Sequence, residues 1–344
     1  MNFDKHFFEK EEREGFAVEE MMKRAWAAAL EVLEVVKGVC EKHNIKYYAA
    51  YGTLLGAVRH KGYIPWDDDI DICMLREDYD RFVAIADREL PEGFVLTGIY
   101  GKEPRLWEAN GDAFQARVMA DEEFFTLPEY MSYFHGFPYM RIGIDIFPLD
   151  YLPSDAVIQY ELVELFTEIN ILLAKWDEYK NNLTLEEHTA PIYTRLKSLS
   201  GNEDGNFNIG NDVFKKHYLR LCMDKIVSSM QYVDRNNVVV IQDLPCPKNR
   251  DAFHGFECMK TEWFSDTIKL NFESTQVIAP VKYSQVLEVW FGKDYMIPKK
   301  FAAEHGYPFY RHQETAFRKM LLEAGIKISV DEFCRNWSSL LERK

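Results

Sequence analysis

The chain has 344 residues, 47% of them hydrophobic, 28% charged and 15% aromatic, which is ample for a buried core and excludes a disordered chain. Its 41 Lys and Arg against 56 Asp and Glu leave a net charge of -15, which disfavours non-specific binding of nucleic acid or an anionic membrane through a basic surface. No stretch approaches the roughly 18 apolar residues of a membrane span and the start lacks an apolar signal core, so the expected address is cytoplasmic, with the 6 cysteines as reduced thiols.

Val18 to His43 is predicted to be a helix, because Trp26, Leu30, Leu33, Val36 and Cys40 recur at three- and four-residue steps on one face. It packs on the core as an N-terminal element, residues 1–44. Ile45 to Tyr51 is short, β-branched and aromatic, and Gly52-Thr53 can open a second helix to about Arg59. Gly62 and Pro65 break the chain before an extended run from Trp66 to Met74. A helix follows from Arg76 to Leu90, with Tyr79, Phe82, Val83 and Ala86 on its packed face. Short runs between Gly and Pro fill Gly93 to Asp150, ending in the alternating strand Arg141 to Phe147. These elements make residues 45–154 a mixed α/β core unit.

Ser154 to Lys180 and Asp212 to Asp234 are long helical stretches separated by a polar loop, Gly201 to Gly210, so residues 155–240 are expected to be a helical insertion. Residues 241–344 return to short elements, among them Val277 to Pro280 and Lys282 to Trp290, before a terminal helical pair beyond Gln313. The fold class expected is α+β, a mixed sheet flanked by helices.

The most informative stretch is GTLLGAVRHKGYIPWDDDIDI, Gly52 to Ile72. On a strand, a period of two places Asp67, Asp69 and Asp71 on one face at steps of about 7 Å, where like charges repel unless a cation sits among them. Oxygen ligands point to Mg²⁺ or Mn²⁺, against the plain alternative of a solvated acidic turn. Asp145 is the lone acid in an otherwise apolar strand and needs a partner. That partner is either the same metal or Arg141, which would share its face. The Gly52-Thr53 turn at a helix start suits a phosphate, and Arg59, His60 and Lys61 beside the acids suit a polyphosphate or leaving nucleotide, unless they only cap the helix. Tyr63, Trp66, Trp107, Phe114, Tyr130 and Tyr133 are candidates for an aromatic cage around a quaternary ammonium, each also readable as core. Cys246, His254 and Cys258 match no common zinc spacing and read better as thiols.

The run Tyr51 to Phe82, with the later IDIFPLD (Ile144 to Asp150) and FGKDYMIP (Phe291 to Pro298), resembles the LicD family of phosphotransferases, which includes fukutin-related proteins. That family belongs to the polymerase-β-like nucleotidyltransferases, whose pattern is Gly-Ser/Thr, then Asp-x-Asp on the next strand, then a third acid. Gly52-Thr53, Asp69-Ile70-Asp71 and Asp145 match it in order. The resemblance implies that Asp69, Asp71 and Asp145 hold the metal, with Asp67 as an additional ligand, and that Gly52, Thr53, Arg59, His60, Lys61, Tyr63 and Trp66 bind substrate.

It further implies transfer of a phospho-alcohol, with phosphocholine from CDP-choline the leading case, to a hydroxyl of a cell-surface glycan or its lipid-linked precursor. CMP leaves, and Asp145 or Asp67 takes the acceptor's proton. Such an acceptor would bring the protein to the inner membrane face without an anchor of its own. Donors such as CDP-ribitol, CDP-glycerol or a phosphoethanolamine carrier, and nucleotidyl transfer from an NTP, are the alternatives. A non-enzymatic scaffold is disfavoured because every expected acid is present.

Overall fold

The structure is a computed structural model that describes residues 1–107, 114–200, 211–300 and 307–341. The chain opens with a hairpin, β1 (Glu11–Arg13) and β2 (Phe16–Val18), and then α1 (Glu20–His43). Almost one whole side of α1 is buried, from Met22 through Trp26, Leu30 and Leu33 to Cys40, and Asn44 ends it in the left-handed conformation. Next come β3 (Tyr48–Ala49), α2 (Tyr51–Arg59), β4 (Asp71–Leu75) and α3 (Arg76–Glu89). After β5 (Phe94–Thr97), α4 (Pro104–Trp107), β6 (Ala116–Ala120) and α5 (Leu127–Tyr133), the chain enters its longest strand, β7 (Gly143–Tyr151).

These strands form a mixed sheet in the order β3-β4-β7-β6-β5, with β4 and β7 parallel and the other neighbours antiparallel. Helices flank it, so the fold is α+β. The far end of β7 pairs instead with β8 (Asn237–Val239), which pairs with β9 (Met259–Lys260).

Between β7 and β8 lie α6 (Ala156–Ala174), α7 (Trp176–Asn181), α8 (Leu185–Ser200) and α9 (Asp212–Ser229). They carry a core of their own, built on Leu162, Phe166, Ile169, Trp176 and Met223, which reaches the sheet through Phe114, Leu152 and Ile241. The predicted stretch 154–180 is divided at Lys175. The α8 helix is not marked in the sequence because Pro191 lies inside it. The polar loop 201–210 lies outside the described residues. The C-terminal part adds a hairpin, β10 (Thr267–Phe272) and β11 (Thr275–Pro280), and the helices α10 (Tyr283–Phe291), α11 (Arg311–Glu323) and α12 (Val330–Leu341). Among the described residues no helix is long and apolar enough to cross a membrane.

One predicted boundary shifts where the acids are. The strand expected from Trp66 is paired only from Asp71, because β3 is two residues long and pairs with Ile72 and Cys73, and β7 joins at Asp145. Residues 67–70 lie ahead of the ladder, entered through a turn in which the Asp67 N–H donates to the Ile64 carbonyl at 2.9 Å, and only the Ile70 carbonyl reaches β7, accepting from the Asp145 N–H at 3.0 Å. The alternation survives the loss of pairing: Asp67, Asp69 and Asp71 are half-buried, whereas Asp68, Ile70 and Ile72 are fully buried.

Candidate active site

The start of β4 is tied to the start of α2. Asp71 donates its N–H to Thr53 Oγ1 at 2.9 Å, and its carbonyl accepts from the Ala50 N–H at 3.0 Å. Asp71 is in register with Asp145 on β7, and Asp145 is in register with Arg117 on β6. Nη1 of Arg117 donates to both Asp145 oxygens, at 3.3 and 3.2 Å. The sheet therefore carries a row of acid, acid and guanidinium across three adjacent strands.

Just ahead of β4, oxygens of Asp67, Asp68 and Asp69 lie within 4.8 Å of one another. Asp68 turns inward and accepts from the Phe309 N–H at 2.7 Å. Asp67, Asp69 and Asp71 instead line a cavity of about 710 Å³. Burial pushes the Asp67 carboxyl well up, and Asp69 pushes it further. Burial does the same to Asp71, with Asp69, Asp145 and Asp67 adding to it. Like charges held together out of water are costly, and a hard divalent cation removes that cost. An all-carboxylate donor set fits Mg²⁺ or Mn²⁺ and suits Zn²⁺ poorly. A Cβ at position 52 would run into the Asp67 carboxylate, which is why the acid cluster needs glycine there.

The remaining walls bring together cations and aromatic faces. Arg59 lines the cavity while its Nη1 donates to the Tyr295 carbonyl at 2.8 Å. Lys299 lines it too, paired with Asp294 at 2.5 Å. Tyr51, Trp66, Trp290 and Tyr295 supply the aromatic surface. The Tyr51 hydroxyl donates to Asp243, another cavity residue, and its ring lies 4.6 Å from Trp290 and 5.1 Å from Phe147.

Residues 44–150, which contain Gly52, the aspartates 67–71 and Asp145, match the family model described as LicD/FKTN/FKRP, nucleotidyltransferase domain. The chain is 29% identical over 261 residues to the lipopolysaccharide cholinephosphotransferase LicD of Haemophilus influenzae, an alignment covering 72% of this chain and 91% of that protein. Residues 44–150 are a LicD-type nucleotidyltransferase domain. With that domain and the long match to a protein named as a cholinephosphotransferase, the chain is a LicD-like transferase. It is also 53% identical over 162 residues to an uncharacterised protein of Rickettsia prowazekii, covering 44% of this chain and 57% of that one. To the human ribitol 5-phosphate transferase FKRP it is 32% identical over 92 residues, 26% of this chain and 17% of that protein.

The LicD-family motif residues do not all reach the cavity. Gly52, Arg59, Trp66, Asp67, Asp69 and Asp71 line it. Thr53 is buried and spends its hydroxyl on the Asp71 N–H, so it builds the site instead of facing a phosphate. His60 turns to Glu14 at 3.2 Å, and burial lowers its pKa. Lys61 lies on a second cavity, with Lys37, Lys269 and Glu273. Tyr63 is core, stacked on Trp26 at 4.5 Å and donating to the Trp26 carbonyl at 3.1 Å. Trp26 in turn donates to the Asp67 carbonyl at 3.0 Å, so this pair is the platform beneath the acidic loop.

Of the two partners expected for Asp145, the arginine is Arg117 and not Arg141, which lies 3.9 Å from Glu122. Of the proposed cage only Trp66 is at the cavity: Phe114 and Tyr130 are core, Trp107 stacks on His217, and Tyr133 packs on Phe134. Asp67, Asp68 and Asp69 are the one converging group of three metal-ligating residues among the described residues, and Cys246, His254 and Cys258 form none. Sequence reasoning missed Arg117, Asp243, Trp290, Asp294, Tyr295 and Lys299. The FGKDYMIP motif holds Asp294 and Tyr295 and abuts Trp290 and Lys299, whereas nothing local marks Arg117 or Asp243.

Proposed function

We propose that this protein transfers phosphocholine from CDP-choline to a hydroxyl of a cell-surface glycan or its lipid-linked precursor, releasing CMP, with Mg²⁺ or Mn²⁺ as cofactor. The observation that carries this reading is the alignment of Asp67, Asp69 and Asp71 along one cavity whose other walls hold Arg59, Lys299 and aromatic faces. The long match to a cholinephosphotransferase supports choline over ribitol, because the ribitol 5-phosphate transferase match covers only 26% of the chain.

Asp67, Asp69 and Asp71, with Asp145 behind Asp71, would hold the cation. When bound there, it supplies charge neutralisation for a diphosphate and makes an acceptor hydroxyl more acidic. Arg59 and Lys299 line the same cavity and would balance the negative charge that develops on the leaving CMP. Asp145 is tied to Arg117, whereas Asp67 is on the cavity wall. This supports Asp67 over Asp145 as the carboxylate that takes the acceptor's proton. The acceptor, if lipid-linked, would be met at the cytoplasmic face of the membrane.

Calorimetric titration with CDP-choline, CDP-ribitol, CDP-glycerol and CTP, each with Mg²⁺ and with EDTA, tests the reading. Metal-dependent binding of CDP-choline followed by CMP release with acceptor supports it. Binding of CTP alone with pyrophosphate release would replace it with nucleotidyl transfer.

A further inference from the structure

Asp145 is the acid of the sheet row whose charge is already matched. Arg117 reaches it from β6, and Nη1 donates to both carboxylate oxygens, at 3.3 and 3.2 Å. The structure of β7 makes room for this contact. Nη2 of Arg117 donates to the Gly143 carbonyl at 3.4 Å, and a Cβ at position 143 would stand 2.7 Å from Arg117 Nε. Position 143 shares a face of the strand with Asp145, and it is left bare so that the guanidinium can lie along the strand. Both side chains of the pair are half-buried, where opposite charges are screened less than at the surface. Asp71 stands on the other side of Asp145 in the sheet. Burial and the acids around Asp71 push its carboxyl up, and Arg117 works against them.

We propose that Arg117 is a positioning residue that keeps Asp145 out of the metal's ligand set, so that the acidic site takes one divalent cation and not two. The proposal rests on the metal-dependent transfer reading above. Two-ion sites hold their ions about 3.5–4 Å apart, and ions that close need a carboxylate shared between them. Asp71 and Asp145, in register across the parallel pair, are the acids placed to share two ions. A guanidinium on both oxygens of Asp145 takes the outer half of that arrangement and repels a second dication from it. Asp67, Asp69 and Asp71, which line the cavity, are then the carboxylates left to the metal. Asp145 acts from behind Asp71, and Arg117 supplies a fixed positive charge where a second ion would otherwise be needed.

The test is the number of Mn²⁺ ions bound per chain, counted without nucleotide from the electron paramagnetic resonance of the free ion. It is run on wild type, Arg117→Lys, Arg117→Met and the double variant Arg117→Met/Asp145→Asn. Wild type and Arg117→Lys should bind one ion. Arg117→Met leaves Asp145 free to share an ion with Asp71 and should bind two. The double variant replaces the ion pair by neutral groups of similar size. It should return to one ion, held within about threefold of the wild-type dissociation constant.

If Arg117 only supported the sheet, its loss would lower the melting temperature without changing the count. One ion on a folded Arg117→Met, or two on wild type, would therefore overturn the proposal and leave metal-dependent transfer standing. A loss of Mn²⁺ affinity of about tenfold or more in the double variant would do the same, because Asp145 would then be a ligand. That arm decides the matter even where Arg117→Met does not fold. No ion on wild type would defeat the cofactor assignment and the proposal together.

Discussion

Asp71 and Asp145 stand opposite each other on the parallel pair β4 and β7, and Arg117 meets Asp145 from the far side. Burial and three neighbouring carboxylates oppose the charge on Asp71, so its ionised form is a cost that only a function repays. Asp71→Asn should lower CMP release by about a thousandfold while the melting temperature in EDTA stays the same or rises. Wild-type turnover in this variant would remove Asp71 from the metal set.

Gly52→Ala is expected to separate catalysis from folding in a different way. The new methyl meets the end of the Asp67 side chain, which can swing aside, so the fold should lose no more than about 1 kcal/mol. The displaced carboxylate no longer lines up with Asp69, and turnover should fall by at least roughly tenfold with a higher Mg²⁺ requirement. An unchanged Mg²⁺ dependence of the rate would show that Asp67 is not a ligand.

Thr53 acts through the Asp71 backbone, so its substitutions should follow the hydroxyl and not the size of the side chain. Thr53→Val leaves the buried Asp71 N–H without its acceptor, at a cost of about 1–3 kcal/mol, and loosens Asp71. Thr53→Ser keeps the acceptor and should retain most of both stability and turnover. If Thr53 instead gripped a phosphate, Thr53→Val would weaken CMP binding without lowering the denaturation midpoint.

The legible parts of this molecule are those whose signal is local. The apolar stripe of α1, the alternation of β7 and the period-two pattern of the aspartates are each written in a few consecutive residues, and period two puts Asp67, Asp69 and Asp71 on one side even where pairing fails. Other roles depend on what lies across space. Tyr63 carries the same kind of ring as Tyr51, but it stacks on Trp26 some forty positions away in the chain while Tyr51 opens to the cavity. Arg117 finds Asp145 only through the β6–β7 register, and Asp243 meets Tyr51 across the whole helical unit that separates them in sequence. Lys61 shares the basic run with Arg59, but the bend after α2 sends it to another cavity.

The joint between the sheet and the helical unit should make stability depend on pH near neutrality. Arg76 is fully buried and donates to Asp150 at 2.7 Å, to Asp224 of α9 at 3.1 Å and to Asp80 at 3.3 Å, so a single guanidinium serves three acids. Asp224 also accepts from Tyr100, and one oxygen of Asp150 has no hydrogen-bond partner. Burial, with Asp224 and Asp80 adding to it, outweighs Arg76 and pushes Asp150 up to about 7. A carboxyl whose pKa is raised on folding binds more protons in the native state. Its contribution is fully present below the unfolded value and is lost as pH rises through about 7. Between pH 6 and pH 8 this group alone should remove on the order of 1 kcal/mol of unfolding free energy. Asp150→Asn has no proton to lose, so the difference between variant and wild type in urea denaturation should grow by that amount across the interval. Parallel stability curves would mean that Asp150 stays ionised beside Arg76 throughout, with the third acid's charge balanced elsewhere in the joint.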